Sequence, residues 1–437
     1  TDTDTLGTGA DELTINAGQT LTLTTDLLFS TGTDVLTLAS GAQLTGANVL
    51  LGDNGNNTVT LGTGAVITGN VTGGDSVDTV TLGSSANITG NVNGDAGDDV
   101  VTLGDNATVT GTVNGGADTD VLSFANYTTA RTVEVTTSVV NVGFTGTEAS
   151  VTAGFTGIDQ VTGSTATTDV LVSNTTNNAL WRLDTDNTLE DTVTSQQLTF
   201  SGLEQLFGEA GDDTFRFGAG VGEAFTITGN GGTNVIEGSL VDDTFTIDAV
   251  DQGQVTVNTR TSSFSGISDL SGRDGADSFT VTDSGSLTGQ VSGGLGSDTL
   301  TGASNGNQFV VTAADAGNLF ESDGATRKID NAGVTPGFTG IENLAGGAGQ
   351  DVFTVTAVGA SLTGGISGRG EDDTITIGGN ANVVGGAVTG DGGADIINLD
   401  GADVSGGGVD GGAGADQINL DGAITGNLTG GTDDDIF

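Results

Sequence analysis

The sequence predicts an all-β fold, an elongated parallel β-solenoid whose coils are about 21 residues long and close through Gly/Asp-rich turns. Three observations carry this. The blocks GDNGNNTVTLGTGAVITGNVT (52–72), GGDSVDTVTLGSSANITGNVN (73–93) and GDAGDDVVTLGDNATVTGTVN (94–114) align without gaps. Within each block small apolar residues alternate with Thr, the period of a half-buried strand. The composition, with Gly 78, aromatic residues at 4% and hydrophobic residues at 34% of 437 residues, cannot fill a few bulky cores but can fill one thin, continuous one.

Each coil is built in the same order. Val80 and Leu82 point one way while Thr79 and Thr81 point the other, and Gly83 ends the run. Ile88, Gly90 and Val92 repeat the spacing of two before Gly94 opens the next turn. At least two short strands and two turns per coil follow. Stacked at about 4.8 Å per coil, some twenty coils would make a rod on the order of 100 Å long.

The reference position of the turn reads Asn57, Asp78, Asp99, Asp120, and resumes as Asp351, Asp373, Asp395, Asp416 and Asp435 at spacings of 22, 22, 21 and 19. Residues 1–124 and 351–437 are therefore regular coils. Between them, 125–350 is less regular and carries a second motif, Phe155-Thr-Gly-Ile, Phe200-Ser-Gly-Leu, Phe264-Ser-Gly-Ile and Phe338-Thr-Gly-Ile. The next reference Asp follows 13 or 14 residues later, so these phenylalanines keep phase with the coil and are expected in the core. Their neighbours Glu204, Asp269 and Glu342 are expected outside. The preceding stretches, which hold Trp181, most basic residues and the one proline, read as longer coils or loops leaving the rod.

Charge narrows the chemistry. Lys+Arg 8 against Asp+Glu 57 gives a formal net charge of −49, and Lys328 is the single lysine. Like charges 4 to 5 Å apart repel by roughly 3 to 4 kcal/mol per pair at an effective dielectric of 20. So acidic a surface is a poor partner for nucleic acid. No run approaches a membrane span, so no insertion is expected from this segment. Cys 0 and His 0 remove disulfides and the usual transition-metal ligands, leaving hard, oxygen-seeking cations. Paired acids such as Asp98/Asp99 and Asp372/Asp373 recur with the repeat, whereas a catalytic site is made once, so no enzyme is expected.

The turns themselves read GGLGSDTLT (293–301), GGAGQDVFT (346–354) and GGAGADQIN (411–419), with near matches GDAGDDVVT (94–102), GEAGDDTFR (208–216), GRDGADSFT (272–280) and GDGGADIIN (390–398). This pattern resembles the hemolysin-type calcium-binding repeats of the repeats-in-toxin proteins, G-G-x-G-x-D-x-U-x with U a large apolar residue. The resemblance implies a β-roll binding multiple Ca²⁺ in a secreted bacterial protein. It implies metal ligands at Asp99, Asp213, Asp277, Asp298, Asp351, Asp395 and Asp416. Asp78, Asp120, Asp373 and Asp435 stand in turns lacking the last glycine, and Asp95, Asp274, Asp391 and Asp433 are neighbouring ligands. One departure stands out: family nonapeptides run end to end, whereas here one such turn alternates with a stretch like LGSSANITGN. Calcium would line one edge, with the opposite turn held by side-chain and backbone hydrogen bonds, and the turn around Asn57 would be metal-free.

The expected function is a calcium-stabilised extracellular structural repeat protein: an adhesin stalk, surface-layer component or matrix filament subunit. The chain starts TDTDTL and stops TDDDIF, near one phase of the repeat, and self-association head to tail, or continuation in a longer rod, is expected. Cell-surface or matrix glycans are the expected ligands. Alternatives are an ice-binding solenoid through Thr-x-Thr arrays (Thr58/Thr60, Thr79/Thr81, Thr280/Thr282, Thr354/Thr356, Thr374/Thr376) and a polysaccharide-acting β-helix enzyme. Asn87-Ile-Thr, Asn106-Ala-Thr, Asn126-Tyr-Thr and Asn427-Leu-Thr fit the N-glycan acceptor pattern.

Overall fold

Alternating small apolar and Thr residues punctuated by glycine fold as short parallel strands, one coil upon the next. The computed structural model describes residues 4–52, 54–330 and 336–437. Residues 1–3 of the TDTDTL start and residues 331–335 of the segment before Phe338 lie outside the described residues. Among the described residues every named element is a strand. The chain divides into two compact units, Thr1–Asp213 and Thr214–Phe437.

In the first unit, strands Glu12–Ile15, Val35–Leu38, Thr58–Leu61, Thr79–Leu82, Val100–Gly104 and Val121–Asn126 pair in parallel, each with the equivalent strand of the next coil. The register aligns like with like. Leu36, Val59, Val80, Val101 and Leu122 form one buried column and Leu38, Leu61, Leu82 and Leu103 another, all at most 5% exposed. A buried side chain of this size contributes roughly 1.5 to 3 kcal/mol, so the interior columns, rather than the short strands themselves, hold the stack. The second unit repeats the arrangement, with Val352–Val355, Thr374–Gly378, Ile396–Asp400 and Gln417–Asp421 pairing in sequence.

Four coils between 125 and 350 are longer, so of the two expectations, longer coils or loops leaving the rod, the first holds. Each expands into a three-stranded antiparallel meander, as in Thr132–Val139, Gly143–Glu148 and Val151–Ile158, or Asp243–Ala249, Gln252–Val257 and Arg260–Ser265. The meander's outer strands rejoin the parallel stack: Phe245 faces Phe279 of the next coil, and Phe264 faces Ile227 of the preceding one. The four motif phenylalanines are buried as expected: Phe155, Phe200, Phe264 and Phe338. Trp181 lies in such a meander, fully buried with its ring edge-on to Phe200 at 6.0 Å. The physical reason is that a long excursion from a coil carries backbone N–H and C=O groups that must be paired, and an added strand pairs them internally.

Candidate metal centre

The turn Gly411-Gly412-Ala413-Gly414-Ala415-Asp416 shows what the motif does. Asp416 is fully buried and its Oδ1 accepts the main-chain N–H of Asp395, one coil back, at 2.8 Å. A Cβ placed on Gly411 would lie 2.5 Å from Asp416 Oδ2, so the first glycine makes room for the carboxylate. Gly412 and Gly414 have φ of +111° and +136°, conformations that L residues rarely adopt. Where those two glycines are replaced the bend persists: Asp95, Arg273, Arg369 and Asp391 take φ of 75°, 77°, 79° and 70°, and Asp118, Glu371 and Asp433 take 77°, 65° and 82°.

Repeated through the coils, this contact becomes a column. In the first unit the N–H groups of Asp11, Asp34, Asn57, Asp78 and Asp99 are accepted by the side chains of Asp34, Asn57, Asp78, Asp99 and Asp120, at 2.7 to 2.9 Å. In the second, Asp243, Asp277, Asp351, Asp373, Asp395 and Asp416 donate to Asp277, Asp298, Asp373, Asp395, Asp416 and Asp435 at 2.7 to 3.1 Å. Asp213 accepts from Ala179 N–H at 2.8 Å. Asp78, Asp99, Asp120, Asp213, Asp277, Asp298, Asp351, Asp373, Asp395 and Asp416 are at most 2% exposed, and Asp435 is half-buried. The neighbouring Asp95, Asp274, Asp391 and Asp433 are exposed on the turns. Asp391 Oδ2 accepts from Ser367 Oγ and from the Arg369 main-chain N–H. Among the described residues no three carboxylates converge as a metal cluster.

The second oxygen of the column is the unusual one. Oδ2 of Asp78, Asp99, Asp120, Asp277, Asp298, Asp373, Asp395 and Asp416 is buried without a hydrogen-bond partner. At Asp78 it crowds the space beside Gly73 together with the Gly94 carbonyl of the next coil. Asn234 occupies the same place beside Gly229, and there its Nδ2 donates to the corresponding Gly266 carbonyl at 3.1 Å. An amide fits because it brings a donor; a carboxylate brings an acceptor to face an acceptor. Burial, reinforced by neighbouring carboxylates, pushes Asp78 and Asp395 up to about 6, Asp99, Asp120 and Asp277 to about 7, and Asp373 to about 8. Burial and the adjacent acids Asp212 and Glu209 raise Asp213 to about 6, and Asp298, Asp351 and Asp416 rise for the same leading reason. Each rung whose Oδ2 lacks a partner thus calls for a positive partner between Oδ2 and a carbonyl, a proton or a hard cation; at Asp351, by contrast, Oδ2 accepts the Gly347 main-chain N–H at 2.7 Å. An all-oxygen donor set suits Ca²⁺, with main-chain carbonyls as the further ligands.

Some capping residues of the column lie outside the Gly/Asp turn motif. The side chains of Asp159, Glu204 and Glu342 take the place of the turn aspartate in the long coils, accepting the N–H of Asp120, Asp169 and Asp298. Glu204 and Glu342 are half-buried against the column, not outside as their position after the Phe motif suggests. The usable signal was their fixed distance, four residues after the phenylalanine. The opposite edge is held as expected by side-chain and backbone hydrogen bonds. There Asn70, Asn91 and Thr112 N–H groups donate to Asn48, Asn70 and Asn91 Oδ1 at 2.8 to 2.9 Å, with polarity reversed relative to the aspartate column. Asn57 sits in the column itself, with Nδ2 donating to the Leu51 carbonyl, so its rung needs no cation.

No family model matches the chain, and no curated protein matches it.

Proposed function

We propose that this chain is a calcium-stabilised extracellular structural repeat protein of a bacterial surface, serving as an adhesin stalk, surface-layer element or filament subunit. The observation that carries the reading is the buried aspartate column, whose Oδ2 atoms face carbonyls with no donor between them. A cell interior poor in Ca²⁺ leaves these carboxylates repelling one another; an exterior rich in it supplies the charge that lets them be buried. Bound Ca²⁺ would supply that charge, and its binding free energy would become folding free energy. The chain's own part is to fix Oδ1 on the preceding coil's N–H and to present Oδ2 and glycine carbonyls to one space. The net charge of −49 with so few cations supports the same dependence.

Head-to-tail association belongs to this proposal. Glycans of the cell surface or matrix are the proposed ligands. Circular dichroism and light scattering followed together during Ca²⁺ titration of chelator-treated protein test the reading. β structure should form between micromolar and millimolar Ca²⁺, and scattering that rises with it indicates association. A β spectrum indifferent to chelation overturns the calcium dependence.

A second reading is favoured by one specific observation. Thr14, Thr37, Thr60, Thr81, Thr102, Ser123, Thr162 and Ser201 stand in register on the outward face of the first unit, an uncharged hydroxyl column in a very acidic chain. Steps of about 4.8 Å between hydroxyls suit an ordered water lattice such as ice. Thermal hysteresis that is lost in Thr81→Lys supports it; none in the calcium-loaded protein removes it.

A further inference from the structure

We propose that the groove around Arg369 in the second unit binds a carboxylate-bearing sugar, a uronate unit of a glycan chain. The groove has a volume of about 540 Å³ and is lined by Thr280, Thr282, Thr301, Ser304, Asp283 and Arg369 together with main chain at three glycines. Arg369 occupies the second position of its turn, a place taken by glycine in Gly411-Gly412, and it does so at φ 79°. Arg273 stands at the same position of an earlier turn, but it is engaged: its Nε is 4.0 Å from Glu237 and its guanidinium donates to the Gly238 carbonyl. Arg369 has no ion pair among the described residues. Its guanidinium reaches Thr301 Oγ1 on the groove wall at 3.4 Å, and its charge also acts on the buried Asp351. Arg260, the other arginine without an ion pair there, sits at a hairpin turn.

The chemistry of the walls selects the ligand. A guanidinium is a planar fork that meets a carboxylate through two parallel N–H···O bonds. Four hydroxyls around it suit the hydroxyls of a sugar ring. No aromatic side chain lines the groove, so a neutral sugar has no ring to stack on. Asp283 at the edge disfavours groups of higher negative charge. The protein's overall charge opposes any anion at a distance, yet with a screening length of about 8 Å at physiological ionic strength the local cation dominates at contact.

This deepens the glycan-partner reading and does not depend on calcium in the aspartate column. The test is calorimetric titration of the calcium-equilibrated full chain with trigalacturonate and with neutral maltotriose. Trigalacturonate should bind and maltotriose should bind at least about tenfold more weakly. Arg369→Gly restores the residue the turn prefers, so its β spectrum and thermal midpoint should be retained while trigalacturonate affinity falls at least about tenfold; Arg273→Gly should leave affinity unchanged. No binding to the native chain, equal affinity for the two sugars, or undiminished binding by Arg369→Gly overturns the proposal. Binding that survives in Arg369→Gly and disappears with chelator identifies a cation bridge at Asp283 and overturns it too.

Discussion

A single rung sets the physics of the column. Asp99 caps Asp78 N–H with one oxygen and buries the other without a donor, while Asn57 in the same column satisfies both side-chain atoms, Oδ1 accepting the Asp34 N–H and Nδ2 donating to the Leu51 carbonyl. Asp99→Asn should therefore keep the capping bond and add the missing donor. Chelated at pH 8, that variant should be more stable than the parent by about 1 to 3 kcal/mol, the cost of a buried unsatisfied polar group. Asp99→Ala should lose a similar amount by stranding Asp78 N–H. With saturating Ca²⁺ the order should reverse, the parent becoming more stable than Asp99→Asn. Denaturant midpoints with and without chelator check all three. An Asp99→Asn variant that is less stable without metal would show that Oδ2 is content as it stands.

At the scale of the element, the turn and the meander differ in how plainly the sequence writes them. Coil strands such as Thr79–Leu82 are legible because alternation and a fixed period speak together. The turn residues Asp78, Asp99 and Asp416 were legible as special, but their inward direction was not, because a metal-ligand motif and an inter-coil cap use the same Gly/Asp spelling. The meanders were legible only as longer coils or loops, since Trp181 and the charged residues around it break the period; only pairing with the neighbouring coils identifies them as strands. The first glycine offers a direct check. In Gly411→Ala the new methyl would meet Asp416 Oδ2 at 2.5 Å and crowd the Gly430 carbonyl. A loss of several kcal/mol is expected, comparable with the upper end for overpacking at about 3 kcal/mol, and should appear in the thermal midpoint. Gly64→Ala has open space but φ +66°, so its loss should stay near 1 kcal/mol.

For the whole molecule, rungs add. Below pH about 4 the carboxyls are protonated in both folded and unfolded chains, and their contribution to stability is fully present. Between the ordinary value of 3.8 and the folded values of about 6 to 8, the unfolded chain releases protons that the folded column retains, so the metal-free protein loses stability as pH rises. The repulsion among 57 acidic groups acts in the same direction and is weakened by salt. Hydrophobic columns such as Leu38–Leu61–Leu82–Leu103 do not titrate, so a remnant of stability independent of pH is expected beneath this slope. Trp181, the only tryptophan and fully buried, reports the first unit alone, while circular dichroism reports both. In chelator, both signals should show midpoints falling steadily from pH 5 to pH 8. With Ca²⁺ the slope should flatten or reverse, since deprotonation is then what binding requires. A metal-free midpoint that rises over the same range would mean that the buried aspartates ionise at their ordinary values, and that the column is held by backbone hydrogen bonds without need of either proton or cation.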